Sequence, residues 1–256
     1  MRAWHMREPE PVTDLDGCLA RFDVVIFDLD GVVLDSNELK VDCMQATLEE
    51  FEPAIAAGFL TDFRRTFGRS RLEHFRSLYE DHLRRAGEFE QFYDVYAGKY
   101  AGHLAVRYPK VPMCEYAREL LFRLSERRAR LCVVTGTPTG EAEHVLAEHG
   151  VRSCFGAVLG GEQGKVERIA QVLGDYDVGP SQVVLIGDAP HDRVAAATAG
   201  IAFVFVERYA LWSREEVMAS ADGAPAYFVY DLAACEESAQ RRQPVLTTAA
   251  SRGARP

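Results

Sequence analysis

The chain has 256 residues, 48% of them hydrophobic, and a formal net charge of -10. That length holds one large domain or a domain with a smaller insertion, and the apolar share supports a sizeable core. The acidic balance excludes a general nucleic-acid binder, which needs a basic surface to displace counterions, but leaves room for a local pocket for a small anion.

In chain order, residues 1–20 carry Pro9, Pro11 and mixed charge and read as a flexible lead-in with no apolar centre of a secretory signal. They include a decoy, Asp14-Leu15-Asp16-Gly17, which recurs as Asp28-Leu29-Asp30-Gly31. Only the second copy follows an apolar run, Val24-Val25-Ile26-Phe27, of the kind that forms a strand buried on both faces. The first follows two prolines, which central ladders exclude. Asp28 and Asp30 project to one side of an extended chain. Two carboxylates that close need a cation or a shared proton, so a divalent-metal site, an acid/base dyad or both are indicated, against a plain surface turn.

Residues 37–112 read as about four helices. Leu39, Met44 and Leu48 form one apolar face, with Pro53 ending that helix; Phe59, Phe63 and Phe67 form a second, stopped at Gly68. Leu72, Phe75, Leu78, Tyr79 and Leu83 make a third, and Phe89, Phe92, Tyr93, Tyr96 and Tyr100 a fourth, whose aromatics suit a bundle core better than a binding platform. Beyond Pro112 helices and strands alternate, with strands at residues 130–135, 155–159, 183–186 and 202–206, a late edge strand at 227–230 and a disordered tail from about 240. The pattern predicts an α/β fold with a doubly wound parallel sheet. The division is a core of residues 21–36 and 113–239, a helical insertion of residues 37–112, the lead-in and the tail (240–256). Cys18, Cys43, Cys114, Cys132, Cys154 and Cys235 are scattered without a CxxC pair, so neither a disulfide framework nor a zinc site is expected. No run reaches the roughly 18 apolar residues of a membrane span, and a soluble cytoplasmic protein is expected.

Polar groups follow the strands. Thr135 and Gly136 could hold phosphate oxygens through a hydroxyl and bare N–H groups. Lys165 opens a helix, where its charge opposes the helix dipole, so a site role is plausible. Gly187-Asp188 brings another carboxylate to the same sheet edge, and with Asp28 and a backbone carbonyl it suits magnesium, which prefers oxygen ligands. Asp192 either caps the following helix or supports the metal.

The order of these groups resembles the haloacid dehalogenase-like hydrolase superfamily, in its phosphatase branch with an α-helical cap, as in phosphoglycolate phosphatase-like members. The matching motifs are DxDGVxxDS from Asp28 to Ser36, the strand ending at Thr135, Lys165, and GDxxxD at Gly187, Asp188 and Asp192. One departure stands at the third motif, where many relatives read Lys-Pro-x-Pro and this chain reads Lys165-Val166-Glu167-Arg168. The resemblance implies Asp28 as nucleophile and Asp30 as acid/base. It also implies Mg²⁺ held by Asp28, Asp188 and the Asp30 carbonyl, and phosphate bound by Thr135, Gly136 and Lys165. The implied substrate is a small phosphorylated metabolite such as a sugar phosphate; a phosphosugar mutase or a non-catalytic regulatory protein are the alternatives on this fold. Arg64, Arg65, Arg69 and Arg71 cluster near Gly68, and Arg69 and Arg71 are substrate candidates against a solvated-surface reading. The insertion's helices could pack within or between chains, so no oligomeric state is read.

Overall fold

The computed structural model describes residues 9–127 and 129–233. The expected tail and Cys235 lie outside the described residues. Seven strands, Glu10–Pro11 (β1), Val24–Phe27 (β2), Arg130–Val134 (β3), Ala157–Leu159 (β4), Val183–Gly187 (β5), Ala202–Val206 (β6) and Ala226–Val229 (β7), form one parallel sheet. Their order is β1-β7-β6-β5-β2-β3-β4. The helices are Leu15–Leu19 (α1), Asn37–Thr47 (α2), Pro53–Arg65 (α3), Arg71–Ser77 (α4), Phe89–Arg107 (α5), Ala117–Glu126 (α6), Thr139–Glu148 (α7), Lys165–Tyr176 (α8), Pro190–Ala199 (α9) and Arg214–Ala219 (α10).

Strands β2, β5 and β6, and β3 beyond its exposed Arg130, are apolar because both faces are covered. Val25, Phe27, Leu131, Val133, Val184 and Ile186 join one core with Leu120, Leu121, Val145, Leu146 and the insertion's aromatics. Their neighbours Val24, Ile26, Cys132, Val134, Val183 and Leu185 join a second core with Ile169, Val172, Ala195, Ala196 and Val217. This is the two-residue alternation of a strand, with each face carrying its own helices.

The insertion, α2 to α5, leaves the core after β2 and returns before α6. The two linkers are tied together: Leu34 bridges Met113, Asp35 N–H donates to Pro112 O at 2.9 Å, and Cys114 N–H to Val33 O at 3.0 Å. The insertion is held by its aromatics, with Phe59 and Phe75 fully buried and Phe63, Phe92 and Tyr100 nearly so. Phe63, Phe67 and Tyr100 have a second role, lining the cavity between insertion and core.

Several expectations need correction. Residues 9–20 are not a loose lead-in: β1 pairs with β7, and Leu15 and Leu19 on α1 are buried in the core. Pro11 does lie in a strand, but at the sheet edge, where its missing N–H costs no ladder bond. Because β1 covers it, β7 is not the edge strand. Asp14 caps α1, accepting from Gly17 N–H at 2.9 Å, so the decoy tetrapeptide is a helix start. Pro53 begins a helix rather than ending one, its missing N–H falling among the first-turn donors that lack partners anyway. Helix α10 carried too little apolar periodicity to be seen in the sequence.

Candidate active site

Parallel strands that fan to either side of β2 leave a crevice at their C-terminal ends, where the chain direction of the sheet's growth reverses. Asp28 and Asp30 leave β2 there, Thr135 leaves β3, Asp188 leaves β5, and Lys165 is the first residue of α8. All five side chains are buried.

Asp28, Asp188 and Asp192 bring carboxylate oxygens within 4.8 Å of one another. Lys165 Nζ donates to Asp28 Oδ1 at 3.0 Å and to Asp192 Oδ1. Burial would drive a proton off Lys165, but Asp192 and Asp28 outweigh it and keep the ammonium charged. Asp192 Oδ2 accepts from the Asp188 and Ala189 N–H groups at 3.2 and 3.1 Å. Asp192 therefore caps α9 with one oxygen and anchors Lys165 with the other.

Asp188 is held differently. Its Oδ2 accepts from Asn37 Nδ2 at 2.7 Å, and that amide also donates to Tyr209 O at 3.1 Å. Burial, then the negative charges of Asp192 and Asp28, push its carboxyl well above the ordinary range. Asp28 is pushed up to about 7, chiefly by burial, with Lys165 opposing. Gly31 makes the approach possible: at φ +79° its backbone suits glycine, and a Cβ would overlap the Asp188 carboxylate and the Asn37 amide.

Asp30 is saturated. Oδ1 accepts from Ser36 Oγ at 2.6 Å and Tyr108 OH at 2.7 Å; Oδ2 accepts from Thr137 Oγ1 at 2.9 Å and from Lys40 Nζ. Burial opposes ionisation, yet Lys40, Ser36 and Tyr108 together hold this carboxyl below its usual range. Thr135 Oγ1 accepts from Thr137 N–H at 3.2 Å. Behind it, Arg168 donates to the carbonyls of Thr135, Leu159 (3.1 Å) and Gly164 (3.2 Å), tying the ends of β3 and β4 to the start of α8. Arg168 does here, by hydrogen bonds, the loop-fixing that prolines could do.

Asp28, Asp30, Thr135, Gly136 and Asp188 line one small cavity of about 40 Å³. Its roof is the insertion: Lys40, Met44, Phe63, Phe67, Arg69, Arg71, His74 and Tyr100. Burial pushes His74 down to about 3, so this imidazole is neutral. Lys165, Gly187 and Asp192 sit behind the wall rather than in it.

The four arginines separate. Arg71 forks onto Glu141 of α7 at 2.8 and 2.6 Å and lies over the Tyr100 ring. It therefore fastens the insertion to the core while also lining the cavity, where it was expected as a substrate candidate. Arg64 pairs with Glu38 in solvent. Arg65 is exposed and away from the cavity, while Arg69 is exposed at its mouth, without a hydrogen-bond partner for its guanidinium among the described residues.

At Gly136 the core comes close to the backbone of the insertion. A Cβ there would overlap the Arg69 carbonyl and lie 3.0 Å from that of Gly68. Gly136→Ala is expected to lower stability by about 1–3 kcal/mol through overpacking, read by urea unfolding, with the far-UV spectrum unchanged.

Sequence reasoning missed Lys40, Asn37, Tyr108, Thr137 and Arg168. Lys40 lies one helical turn beyond Ser36, and Arg168 three residues beyond Lys165, so helical spacing could have placed both on the site's face. Tyr108 had no such signal, since 78 residues separate it from Asp30.

A family model described as haloacid dehalogenase-like hydrolase matches residues 25–206. A phosphoglycolate phosphatase of Vibrio parahaemolyticus is 31% identical over 194 residues, covering 70% of this chain and 81% of that protein. A pyrophosphatase of Listeria innocua is 28% identical over 193 residues, covering 72% of this chain and 84% of its own. Among solved structures, a hydrolase from Pseudomonas syringae superposes with a TM-score of 0.71 at 17% identity, covering 86% of this chain and 99% of that one, a likeness of fold. No described helix is long and apolar enough to cross a membrane.

Proposed function

The chain belongs to the haloacid dehalogenase-like hydrolases and is a phosphatase, and from that premise we propose a Mg²⁺-dependent phosphomonoester hydrolase working through an aspartyl-phosphate on Asp28. The observation that carries the proposal is the buried Asp28 carboxylate, bonded to Lys165 and facing Asp188 across the strand ends. Its substrates are small phosphorylated metabolites, sugar phosphates and short acid phosphates among them. The names of the relatives, phosphoglycolate phosphatase and pyrophosphatase, support the small-substrate reading. The insertion serves as a cap that closes over the substrate and excludes water.

The residues fit a divalent cation. Three buried carboxyl groups, Asp28, Asp188 and Asp192, face one ammonium, Lys165; burial and mutual repulsion push Asp28 and Asp188 toward their protonated forms, and a divalent cation would take the place of those protons. Asp28, Asp188 and the Asp30 carbonyl would hold it, since both Asp192 oxygens are occupied by Lys165 and the helix start. Bound there, the ion supplies charge neutralisation for the phosphoryl oxygens.

The chain's own groups account for the two chemical steps. An Asp28 oxygen attacks phosphorus; the ester P–O bond breaks, and the leaving oxygen takes a proton from Asp30. Four donors hold Asp30 ionised in the substrate-free protein. Asp30 takes that proton from solvent as the phosphoryl dianion binds, since the incoming negative charge favours protonation of its neighbour. Asp30, now a carboxylate, removes a proton from water, which attacks phosphorus and releases inorganic phosphate with Asp28 restored. Thr135 in the cavity wall would orient the phosphoryl oxygens, and Lys165, bonded to Asp28 behind that wall, would offset their charge.

Incubation with sugar, nucleotide and short-acid phosphates, following free phosphate against isomer formation, tests the reading. Free phosphate as the main product is expected; isomer without free phosphate would assign a mutase instead.

A second test uses stability. An acid whose folded-state pKa is raised binds more protons folded than unfolded, so stability falls as pH rises from the unfolded carboxylate range through about 7. Metal-free protein is therefore expected to melt lower near about pH 8 than near about pH 6, with Mg²⁺ raising the melting temperature more at the higher pH. Asp188→Asn should remove most of the Mg²⁺-dependent shift. A shift independent of pH and of Asp188 would place the cation elsewhere.

A further inference from the structure

We infer that Lys40 is a specificity-determining residue that reads an anionic group on the leaving-group side of the substrate; the inference rests on the phosphatase reading above. Lys40 lies in the first turns of α2 and reaches down to the core, where its Nζ contacts Asp30 Oδ2 and, at 2.6 Å, Thr137 Oγ1. It lies 5.2 Å from the Tyr108 ring centroid and lines the cavity, with its side chain 12% exposed.

Thr135 and the bare Gly136 backbone in the cavity wall, with Lys165 behind it on Asp28, are the proposed partners of the phosphoryl group, while Lys40 meets this loop only through Thr137. Lys40 is surplus to that set. The remaining wall on the insertion side is Met44, Phe63, Phe67, Tyr100 and the neutral His74. Such a wall has few groups to satisfy the several hydroxyls of a sugar, and each unpaired hydroxyl would cost binding. The other cations of the roof are unequal: Arg71 is already forked onto Glu141, while Arg69 stands at the mouth. Lys40 is thus the ammonium placed beside the ester oxygen that Asp30 serves. A carboxylate or second phosphate one or two bonds from that oxygen would compete with Asp30 for it. A compact acid phosphate, with an anion on the alcohol it releases, is the ligand class that matches this charge.

The test compares 2-phosphoglycolate with ethyl phosphate, which have similar size and differ by the carboxylate, on wild type, Lys40→Met and Lys40→Arg. A charge-assisted hydrogen bond corresponds to about 10- to 100-fold in binding. Wild type is expected to favour phosphoglycolate in kcat/KM by at least about tenfold, and Lys40→Met to lower that ratio about tenfold or more, chiefly through KM for phosphoglycolate. Lys40→Arg keeps the charge and should retain a larger part of the ratio than Lys40→Met, which also guards against misreading a folding defect. Equal losses on both esters in Lys40→Met would show that Lys40 serves Asp30 alone and would overturn the inference, as would a wild type without preference. Wild-type hydrolysis of neither these esters nor any other phosphomonoester would overturn the phosphatase reading itself.

Discussion

Asp28→Asn is expected to lower kcat by at least about 10⁴-fold while leaving the fold intact. An asparagine side chain has no anionic oxygen to attack phosphorus, yet it can still accept the Lys165 hydrogen bond now 3.0 Å long. The substitution also removes one of the crowded negative charges. Because burial and the neighbouring carboxylates push Asp28 up to about 7, the metal-free variant should be at least as stable as wild type above that pH. Loss of turnover with unchanged or higher melting temperature is the expected pair of results, from phosphate release and thermal unfolding. An equally inactive but strongly destabilised protein would mean that Asp28 acts as a structural anchor.

Lys165→Met should damage both activity and stability. Its ammonium is fully buried and bonded to Asp28 and Asp192, so its removal strands two buried carboxylates. Breaking one side of a buried ion pair costs about 3–5 kcal/mol, and the loss of a preorganised positive charge costs about 10²- to 10³-fold in kcat. The sign with pH follows from the same charges. Lowering the pH lets the stranded carboxyls take protons, so the stability deficit should narrow in acid, as read by urea unfolding at several pH values. Lys165→Arg should not restore activity, because the planar guanidinium does not fit where a compact ammonium bridges two carboxylates. A stability deficit independent of pH would argue that Lys165 matters only through packing.

Much of this arrangement is legible in the residues. The apolar runs 24–27, 131–134, 183–187 and 202–206 are strands because each is too apolar to face water on either side, and the groups that follow them necessarily meet at one sheet edge. Lys165 was readable for a related reason: a lysine in the first turn opposes the helix dipole, and its compensation is Asp192, another residue of the same edge. What stayed hidden depended on the insertion folding back. Tyr108 reaches Asp30, and Arg71 finds Glu141, only because the aromatic bundle places them there, and no spacing rule links either pair. The lead-in was misread because β1 is two residues long and carries a proline, so its pairing with β7 comes from tertiary contact rather than propensity. Helical spacing from Lys165 places Arg168 on the site's face, but its partners are backbone carbonyls, so its role as a loop tie has no side-chain signature.

The central claim is that phosphoryl is transferred to Asp28 before it reaches water, and Asp30→Asn isolates that transfer. With p-nitrophenyl phosphate the leaving group departs without a proton from position 30, whereas hydrolysis of the aspartyl-phosphate still needs the missing base. Rapid mixing should therefore give a burst of nitrophenolate stoichiometric with protein, followed by slow turnover. Acid-quenched protein labelled from the radioactive ester should carry hydroxylamine-labile phosphate on the peptide containing Asp28. A steady rate with no burst and no label on that peptide, in a variant that folds and still turns over, would contradict covalent transfer to Asp28.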